Sequence, residues 1–395
     1  MSAAVPMPGI DGERRWSGLY VARLDLHAPH LLGVAAKVRA QRDALSERLG
    51  PVGVVFPSEG SIWRDDQAVR EFGKGSTWHR LVYYVFFYFV VAGLARGADF
   101  LYLRYQGASP FFLSMLWLAR RHDPSIVIVV EIPTFPYDDA AITLRAKALL
   151  LVDRMWRRLA FRYVDRVVTF SGDDRIFGVP TVRTTNGVDV EGIAPLEPRV
   201  PGPELRLVGV ANVSYWHGYD RIVLGLRDYY ARGGRMDVTF DVVGTGADLP
   251  ALKALVEQSG LQDRVRFHGS LRGRALDDLL GTCQVGISCV ALHRKRSDTS
   301  DLKSREYCAR GLPFVIGYAD RDFGGDLPFV HHVARDDTPI DIAALLDFHA
   351  RLVAEHPMYR ARMRGFASER LTWREKMRPV VDMLLALLAG KRALP

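Results

Sequence analysis

Short apolar runs alternate with amphipathic segments along the chain, and this alternation occurs twice. In the first half, the pattern predicts strands at 17–24, 51–56, 99–103, 125–130 and 166–170, with helices such as 31–49 and 142–163 between them. In the second half, it predicts strands at 205–210, 237–243, 264–268, 284–290 and 313–316, separated by helices at 219–232, 248–259 and 274–281. Strands that alternate with helices are typical of a parallel sheet covered on both faces, so we predict two doubly wound α/β domains.

A proline-rich segment at 194–204 divides the two halves, as expected of a linker between domains. We therefore predict an N-terminal domain over 1–195 and a C-terminal domain over 203–375. Residues 376–395 are predicted to form a helix that crosses back to the N-terminal domain. Open α/β sheets bind ligands outside the carboxyl ends of their strands, so two facing domains would hold a ligand in the cleft between them.

Composition narrows the class of protein. The 395 residues are 48% hydrophobic and 25% charged, which is ordinary for a globular protein large enough for two domains. Three cysteines are too few for a disulfide scaffold and favour a reducing, cytoplasmic compartment. The net charge of +8 favours acidic partners, such as anionic lipid or a phosphorylated substrate. The sequence contains no nucleic-acid-binding signature, so nucleic acid is disfavoured.

Two segments bear on membranes. The apolar run at 81–95 is shorter than the roughly 20 residues that a spanning helix needs, and we predict a buried helix. A shallow membrane-inserting helix and a true span are the less favoured alternatives. Arginines recur every fourth residue from Arg154 to Arg166, beside an apolar flank, so one helix face is predicted to be basic. Such a helix can lie on the anionic inner face of a plasma membrane, although an ordinary surface helix is the favoured interpretation.

Glycine-containing turns follow several predicted strands of the second half. Gly244 and Gly246 close one strand, where glycines let the backbone approach a ligand and turn its amides toward phosphate. An ordinary turn explains this pair at least as well. Ser270 and Leu271 follow a histidine-glycine turn, and Asn186-Gly187 forms another turn just before the linker.

A pair of carboxylates stands near the end of the second half. Seven residues separate Asp298 from Glu306, and Glu306 is predicted to begin a helix that ends at Gly311. Carboxylates accept strong hydrogen bonds from sugar hydroxyls, so the pair could bracket a polyhydroxylated ligand. The alternative for Glu306 is a structural role, because an acidic residue stabilises the dipole at a helix start. Lys303, between the two carboxylates, could offset the charge of a ligand phosphate.

The order and spacing of these patterns resemble the family 4 glycosyltransferases, which have the GT-B fold. The resemblance covers most of the chain and is clearest from Thr185 to Val315. It implies a retaining, metal-independent enzyme without a cofactor, which transfers a sugar from a nucleotide sugar to a saccharide. The segment 131–138 resembles a subgroup that builds bacterial surface polysaccharides, where the acceptor is lipid-linked.

The resemblance also implies roles for single residues. Glu306 would bind the ribose hydroxyls, and Asp298, where the family usually has glutamate, would contact the donor sugar. The segment Ser300-Asp301-Leu302 would contact sugar and phosphate through its backbone, and Ser270-Leu271 would hold the base. Gly33 is similar to the glycine in a donor-side loop before the first helix.

Glu131 matches a position where many members of the family place a histidine near the acceptor. The alternative is that Glu131 is a strand-end carboxylate that caps a neighbouring helix. We name Glu131, Asp298 and His217 as the candidate catalytic residues.

One position pair departs from the family. An arginine and a lysine that usually grip the diphosphate are replaced here by Asn212 and His217. Both can still donate hydrogen bonds, but two fixed charges are lost. Either other cations neutralise the diphosphate or the protein is catalytically weak, and we favour the first. The candidate cations are Arg221, Arg294, Lys295 and Lys303.

Two other functions fit the same fold. One is a nucleotide-sugar epimerase or a phosphorylase, which the pair of carboxylates disfavours. The other is a non-catalytic subunit that binds a nucleotide or saccharide after losing the basic pair. A dinucleotide dehydrogenase is disfavoured, because no G-x-G-x-x-G opens a helix after the first strand.

Overall fold

The computed structural model describes residues 15–28, 31–73, 77–138, 143–197, 202, 204–295 and 300–392, with backbone alone at 77–81 and 392. It contains two sheets, one in each half of the chain. The strands of the first sheet are β1 (Gly18–Ala22), β2 (Val52–Ser58), β3 (Ser61–Arg64), β4 (Gln67–Glu71), β5 (Phe100–Arg104), β6 (Val127–Ile132), β7 (Arg166–Thr169), β8 (Arg175–Ile176) and β9 (Val179–Arg183).

The first sheet has the order β4-β3-β2-β1-β5-β6-β7-β9-β8. Its centre is parallel, with Tyr20 opposite Tyr102 and Arg104 opposite Glu131, and antiparallel hairpins form both edges. The direction of strand addition reverses between β1 and β5. Ligands of open α/β sheets bind at such a reversal, so this edge of the N-terminal domain is a candidate binding region.

Among the described residues, the helices of this domain are α1 (Leu32–Leu49), α2 (Thr77–Leu94), α3 (Pro110–His122), α4 (Leu144–Ala160) and α11 (Trp373–Arg392). Phe87 of α2 and Met115 of α3 pack against one face of the sheet. Leu45 of α1 and Leu384 of α11 pack against the other face. The end of the described chain therefore completes the core of the domain in which the chain began.

The second sheet consists of β10 (Glu204–Val210), β11 (Asp237–Val243), β12 (Val265–Gly269), β13 (Val285–Ile287), β14 (Phe314–Ile316) and β15 (Val330–His332). Its order is β12-β11-β10-β13-β14-β15, and every pairing is parallel. The strand order reverses between β10 and β13. The helices of this domain are α5 (Tyr219–Ala231), α6 (Leu249–Gln258), α7 (Gly273–Leu280), α8 (Leu302–Arg310), α9 (Ile342–Glu355) and α10 (Tyr359–Arg370).

The prediction of two doubly wound domains is confirmed, but three local expectations need correction. Gly33 is not in a loop, because it lies in the first turn of α1. The arginine repeat does not form one helix face: α4 ends at Ala160, Arg162 lies in a 3₁₀ turn and Arg166 begins β7. The run at 81–95 forms most of α2 and is buried on one side only. None of the described helices has the length and apolar character needed to cross a bilayer.

Candidate functional site

The carboxyl ends of the two sheets are joined by hydrogen bonds between the domains. The backbone N–H of Asn186 donates to Ser300 Oγ over 3.0 Å, and the Arg321 guanidinium donates to the backbone carbonyl of Ser171 over 3.4 Å. Lys37 Nζ in turn donates to Asn186 Oδ1 over 2.9 Å. The candidate residues of both domains therefore border one interdomain region.

Glu131, at the end of β6, is completely buried. Its carboxylate accepts hydrogen bonds from Tyr102 at 2.8 Å, Gln41 at 2.9 Å and Arg104 at 3.1 Å. Burial by itself raises the pKa of a carboxyl group. For Glu131, the positive charges of Lys37 and Arg104 have the larger effect and hold its pKa below the usual value. Glu131 is therefore a fully paired anion beneath the interdomain surface.

This pairing decides against the alternative interpretation of Glu131. A helix cap accepts from backbone amides, whereas the partners of Glu131 are side chains of α1 and β5. The catalytic role of Glu131 near an acceptor stays a prediction. In this structure, the Glu131 carboxylate contacts other side chains of the protein and holds them in position.

Lys37 is the buried cation that links Glu131 to the second domain. Its Nζ lies 3.3 Å from Glu131 Oε1 and 4.5 Å from the centre of the Phe170 ring. Burial lowers the pKa of Lys37 to about 8, and the attraction of Glu131 only partly compensates. Sequence reasoning gave this residue no role, because its partners come together only through the fold.

In the second domain, the segment before α8 is held by its own side chains. Asp301 caps the helix, accepting from the Ser304 amide at 2.8 Å, and it also accepts from Tyr318 OH at 2.8 Å. Although burial opposes ionisation, Lys303 and Arg305 hold the pKa of Asp301 well below its usual range. The carboxylate of Asp301 is thus fully paired within the protein, so a ligand at this segment would have to bind other groups, such as its backbone amides.

His217 presents a hydrogen-bond donor that does not depend on pH near neutrality. Its Nδ1 accepts the Ser214 amide N–H at 3.0 Å, so the neutral ring carries its hydrogen on Nε2. Burial, assisted by the charge of Lys303, lowers the pKa of His217 to about 3. The ring is therefore neutral near pH 7 and can donate through Nε2.

Two of the candidate cations are already paired with groups of the protein. Arg294 forms salt bridges with Asp220 and Asp337, and Arg221 donates to backbone carbonyls and Asp336. These two arginines stabilise the domain and are not available to a diphosphate.

Lys295 and Lys303 remain available. Lys295 Nζ lies 5.2 Å from the centre of the Trp216 ring, and burial lowers its pKa. Lys303 Nζ lies 3.3 Å from Cys289 Sγ. Burial disfavours the charge of Lys303, but Cys289 and Asp301 outweigh it and raise the pKa of Lys303, which keeps the ammonium charged.

The glycines of the β11 turn serve close packing. Gly244 and Gly246 have φ angles of +125° and +150°, and a Cβ at either position would overlap the loop at 211–213. The Gly244 amide donates to the Gly269 carbonyl at 2.7 Å, so it is not free to bind phosphate. The turn instead supports the loop that carries Asn212, whose side chain is exposed.

Glu306 lies in the middle of α8, so the prediction that it begins the helix is wrong. The helix starts at Leu302, because Asp301 supplies the cap. It ends before Gly311, as predicted, and Gly311 adopts a φ of +76°. Within the described residues, the Glu306 carboxylate makes no hydrogen bond or salt bridge, and burial raises its pKa. In this part of the chain, Glu306 is therefore an acceptor without a partner.

The remaining predicted residues follow strands of the second sheet. Asn212 follows β10, and Ser270 and Leu271 follow β12, so all three lie at the carboxyl edge of the second sheet.

Asp298 lies outside the described residues. No group of three or more His, Cys, Asp or Glu in the described ranges is arranged to hold a metal ion.

Besides Lys37, the described part of the first domain contains Arg23 as a candidate that sequence reasoning missed. Arg23 follows β1 at the reversal of strand order, and its guanidinium donates to Gln106, which follows β5. Its Nη1 has no hydrogen-bond partner among the described residues, and the guanidinium lies 4.5 Å from the Tyr84 ring centre. Only the strand order reveals this position as a binding edge.

No protein-family model matches the sequence, and no curated protein does either. Solved structures do match. A glycosyltransferase from Rickettsia africae has a TM-score of 0.64 at 13% identity, covering 95% of this chain and 99% of that one. HepE of Anabaena, solved with UDP and glucose, has a TM-score of 0.61 at 14% identity, covering 94% and 100%.

Sucrose-phosphate synthase from Thermosynechococcus elongatus has a TM-score of 0.63 at 14% identity, covering 95% of this chain and 100% of that one. These neighbours are GT-B proteins, and identity this low establishes a common architecture rather than a common reaction. With its two parallel-sheet, Rossmann-like domains, the chain has the GT-B fold.

Proposed function

We propose that this protein is a glycosyltransferase that moves a sugar from a nucleotide-sugar donor to a saccharide acceptor. One observation carries the proposal. At the strand reversal between β10 and β13, the amino end of α8, the charged Lys303 and the neutral donor His217 lie near one another, with the unpaired Glu306 further along α8. This set of groups suits a ligand that carries both a diphosphate and a ribose.

The chemical task is to stabilise the nucleoside diphosphate as it leaves the sugar. Preorganised donors and cations aimed at developing charge supply the largest catalytic effect in many enzymes. The amides of Leu302 and Lys303 lie in the first turn of α8, where no acceptor within the helix is available to them. Together with the Lys303 ammonium and the His217 Nε2–H, they would take the place of the family's arginine and lysine. Glu306 would accept the hydroxyl hydrogens of the ribose.

We also propose that transfer proceeds with retention and without a metal, as in family 4, and that the acceptor is a lipid-linked saccharide in surface-polysaccharide synthesis. The acceptor would lie at the reversal between β1 and β5, where Arg23 and Gln106 offer donors. Hydrogen bonds between the domains, such as Asn186 to Ser300, would hold the cleft closed and limit hydrolysis of the donor.

One observation favours a second candidate, a nucleotide-binding subunit without transferase activity. Arg221 and Arg294 both form salt bridges within the protein, so fewer cations are free to bind the diphosphate than the sequence suggested. Such a protein would bind the nucleotide and neither transfer nor hydrolyse the sugar.

The test is thermal stabilisation by nucleotides. We expect one of UDP, GDP or dTDP to raise the melting temperature, and Glu306→Ala to abolish the shift because the ribose loses its acceptor. Glu257→Ala, an exposed glutamate on α6, is the matched control and keeps the shift. If no nucleotide stabilises the protein, or if both variants behave alike, the proposal fails. Turnover of the matching nucleotide sugar then separates the transferase from the binding subunit.

A further inference from the structure

The helices on one face of the N-terminal sheet carry large apolar side chains on their outer side. Helix α2 packs against α3, and α3 packs against α4, so the three helices form one layer. Phe86 on α2 and Trp117 on α3 are each close to half exposed. Phe87 and Met115, on the inner sides of the same helices, are buried in the core. The exposed rings therefore point away from the domain.

Helix α4 has the most pronounced outer stripe. Leu144, Leu151 and Met155 are 87%, 61% and 66% exposed, and Leu159 is also exposed. Their spacing of seven, four and four residues places them along one side of the helix. Asp153 and Ala160, on the opposite side, are buried. An ordinary surface helix turns its apolar stripe to the core, whereas α4 turns it outward.

Unpaired cations accompany this stripe. Four exposed basic side chains make no hydrogen bond or salt bridge within the described residues: Arg145, Lys147, Arg158 and Arg162. The only carboxylate of α4, Asp153, is buried and accepts from Tyr105 and Tyr137. Free positive charge thus lies beside exposed apolar surface, and α4 adds no negative charge to it.

We propose that this face docks on a membrane that contains anionic phospholipids. We call it the outer face, defined by Phe86, Trp117, Leu144, Leu151, Met155 and Leu159 with the cations Arg145, Lys147, Arg158 and Arg162. The apolar side chains would enter the boundary between headgroups and acyl chains, and the cations would meet lipid phosphates. Each cation near an anionic surface increases the partition coefficient roughly fivefold.

The charge distribution favours a membrane over a second copy of the chain. A two-fold symmetric dimer would place the same patch on both sides of its interface. The cations of one copy would then face the cations of the other, without a carboxylate of α4 to compensate. An anionic lipid surface supplies the opposite charge instead.

The outer face also lies beside the cleft. Because α4 follows β6, its first turn begins near the carboxyl edge of the sheet, where Glu131 lies. Docking would therefore bring the cleft close to the lipid surface, where a lipid-linked acceptor presents its sugar. This last step rests on the proposed function, whereas docking itself does not.

The experiment is co-sedimentation of the full-length protein with vesicles of phosphatidylcholine, alone or with roughly one third phosphatidylglycerol. We expect binding to the anionic vesicles, weakened by high salt because screening shortens the reach of the charges. The double variant Leu151→Glu/Met155→Glu is expected to lower the partition coefficient roughly tenfold or more, since two apolar contacts become like-charged with the lipid. Met358→Glu replaces an apolar side chain of similar exposure, 72%, in the C-terminal domain and serves as the matched control.

Three results would overturn the proposal. The first is no binding of the native protein to anionic vesicles, and the second is equal binding by the double variant and Met358→Glu. The third is a dimer in sedimentation velocity that the double variant converts to a monomer, which would assign the outer face to self-association. The nucleotide-induced thermal shift of the same preparations reports separately on the proposed function, so the two can fail independently.

Discussion

Replacing Lys37 with methionine separates the contribution of this buried cation to stability from its contribution to the interdomain contact. A drop in pKa from 10.5 to about 8 means that holding the ammonium inside the fold costs about 3 kcal/mol relative to water. Methionine removes that cost. It also leaves Asn186 Oδ1 without its donor, which costs about 1 to 3 kcal/mol. The free energy of unfolding at neutral pH should therefore stay unchanged or rise by up to about 2 kcal/mol.

The pH dependence provides a sharper test. A lysine whose folded pKa is depressed binds fewer protons in the folded state than in the unfolded state, so stability rises as pH passes through the folded value near 8. The native protein should gain about 1 kcal/mol from this group between about pH 7 and pH 9, and Lys37→Met should lack that gain.

The assay is urea unfolding of native protein, Lys37→Met and the exposed control Lys253→Met at both pH values. Nucleotide affinity, measured on the same variants, should fall in Lys37→Met alone, because Asn186 then positions Ser300 less firmly. A loss of about 3 kcal/mol or more at neutral pH would show that the pair with Glu131 outweighs the burial of the charge, and the reasoning would be refuted.

Two further predictions concern the second domain. Nucleotide affinity should not change through titration of His217 between about pH 5 and pH 8, because its pKa of about 3 keeps the ring neutral. Calorimetric titrations of the native protein and of His217→Gln, which keeps an N–H donor, should therefore show the same pH profile in this range. A native affinity that rises on acidification while the affinity of the variant does not would contradict this prediction. Asp301→Ala should destabilise the C-terminal domain by about 2 to 4 kcal/mol in thermal unfolding, because α8 loses its cap and Tyr318 loses an acceptor. Asp301→Asn, which can still cap the helix, should lose less stability. Equal losses of stability in the two variants would assign the effect to the charge alone.

The sequence was a good guide to the fold wherever a strand is a continuous apolar run. Strands such as 127–132 and 237–243 are buried along nearly their whole length, and their apolar residues mark them. The edge strand β4 was missed because all of its residues are exposed, so no apolar pattern marks it. The short β15 was missed for a related reason, since Val330 is its only apolar residue and two histidines complete it.

The candidate site was less predictable, because its partnerships are made by the fold. The start of α8 could have been placed correctly from Asp301, since aspartate is a preferred N-cap. Nothing local indicates that Glu131 pairs with Lys37, which lies far away in sequence. Similarly, Arg221 and Arg294 look like free cations until the carbonyls and carboxylates around them are known.

Helix α11 also affects the order in which the molecule can be completed during synthesis. Met377, Val380 and Leu384 belong to the core of the N-terminal domain, yet they are made only after the whole C-terminal domain. Until they leave the ribosome, the surface of α1 and the sheet that they cover remains open to water and to chaperones. The N-terminal domain thus leaves the ribosome before the C-terminal domain but is completed after it, so its maturation depends on translation of the chain through Leu384.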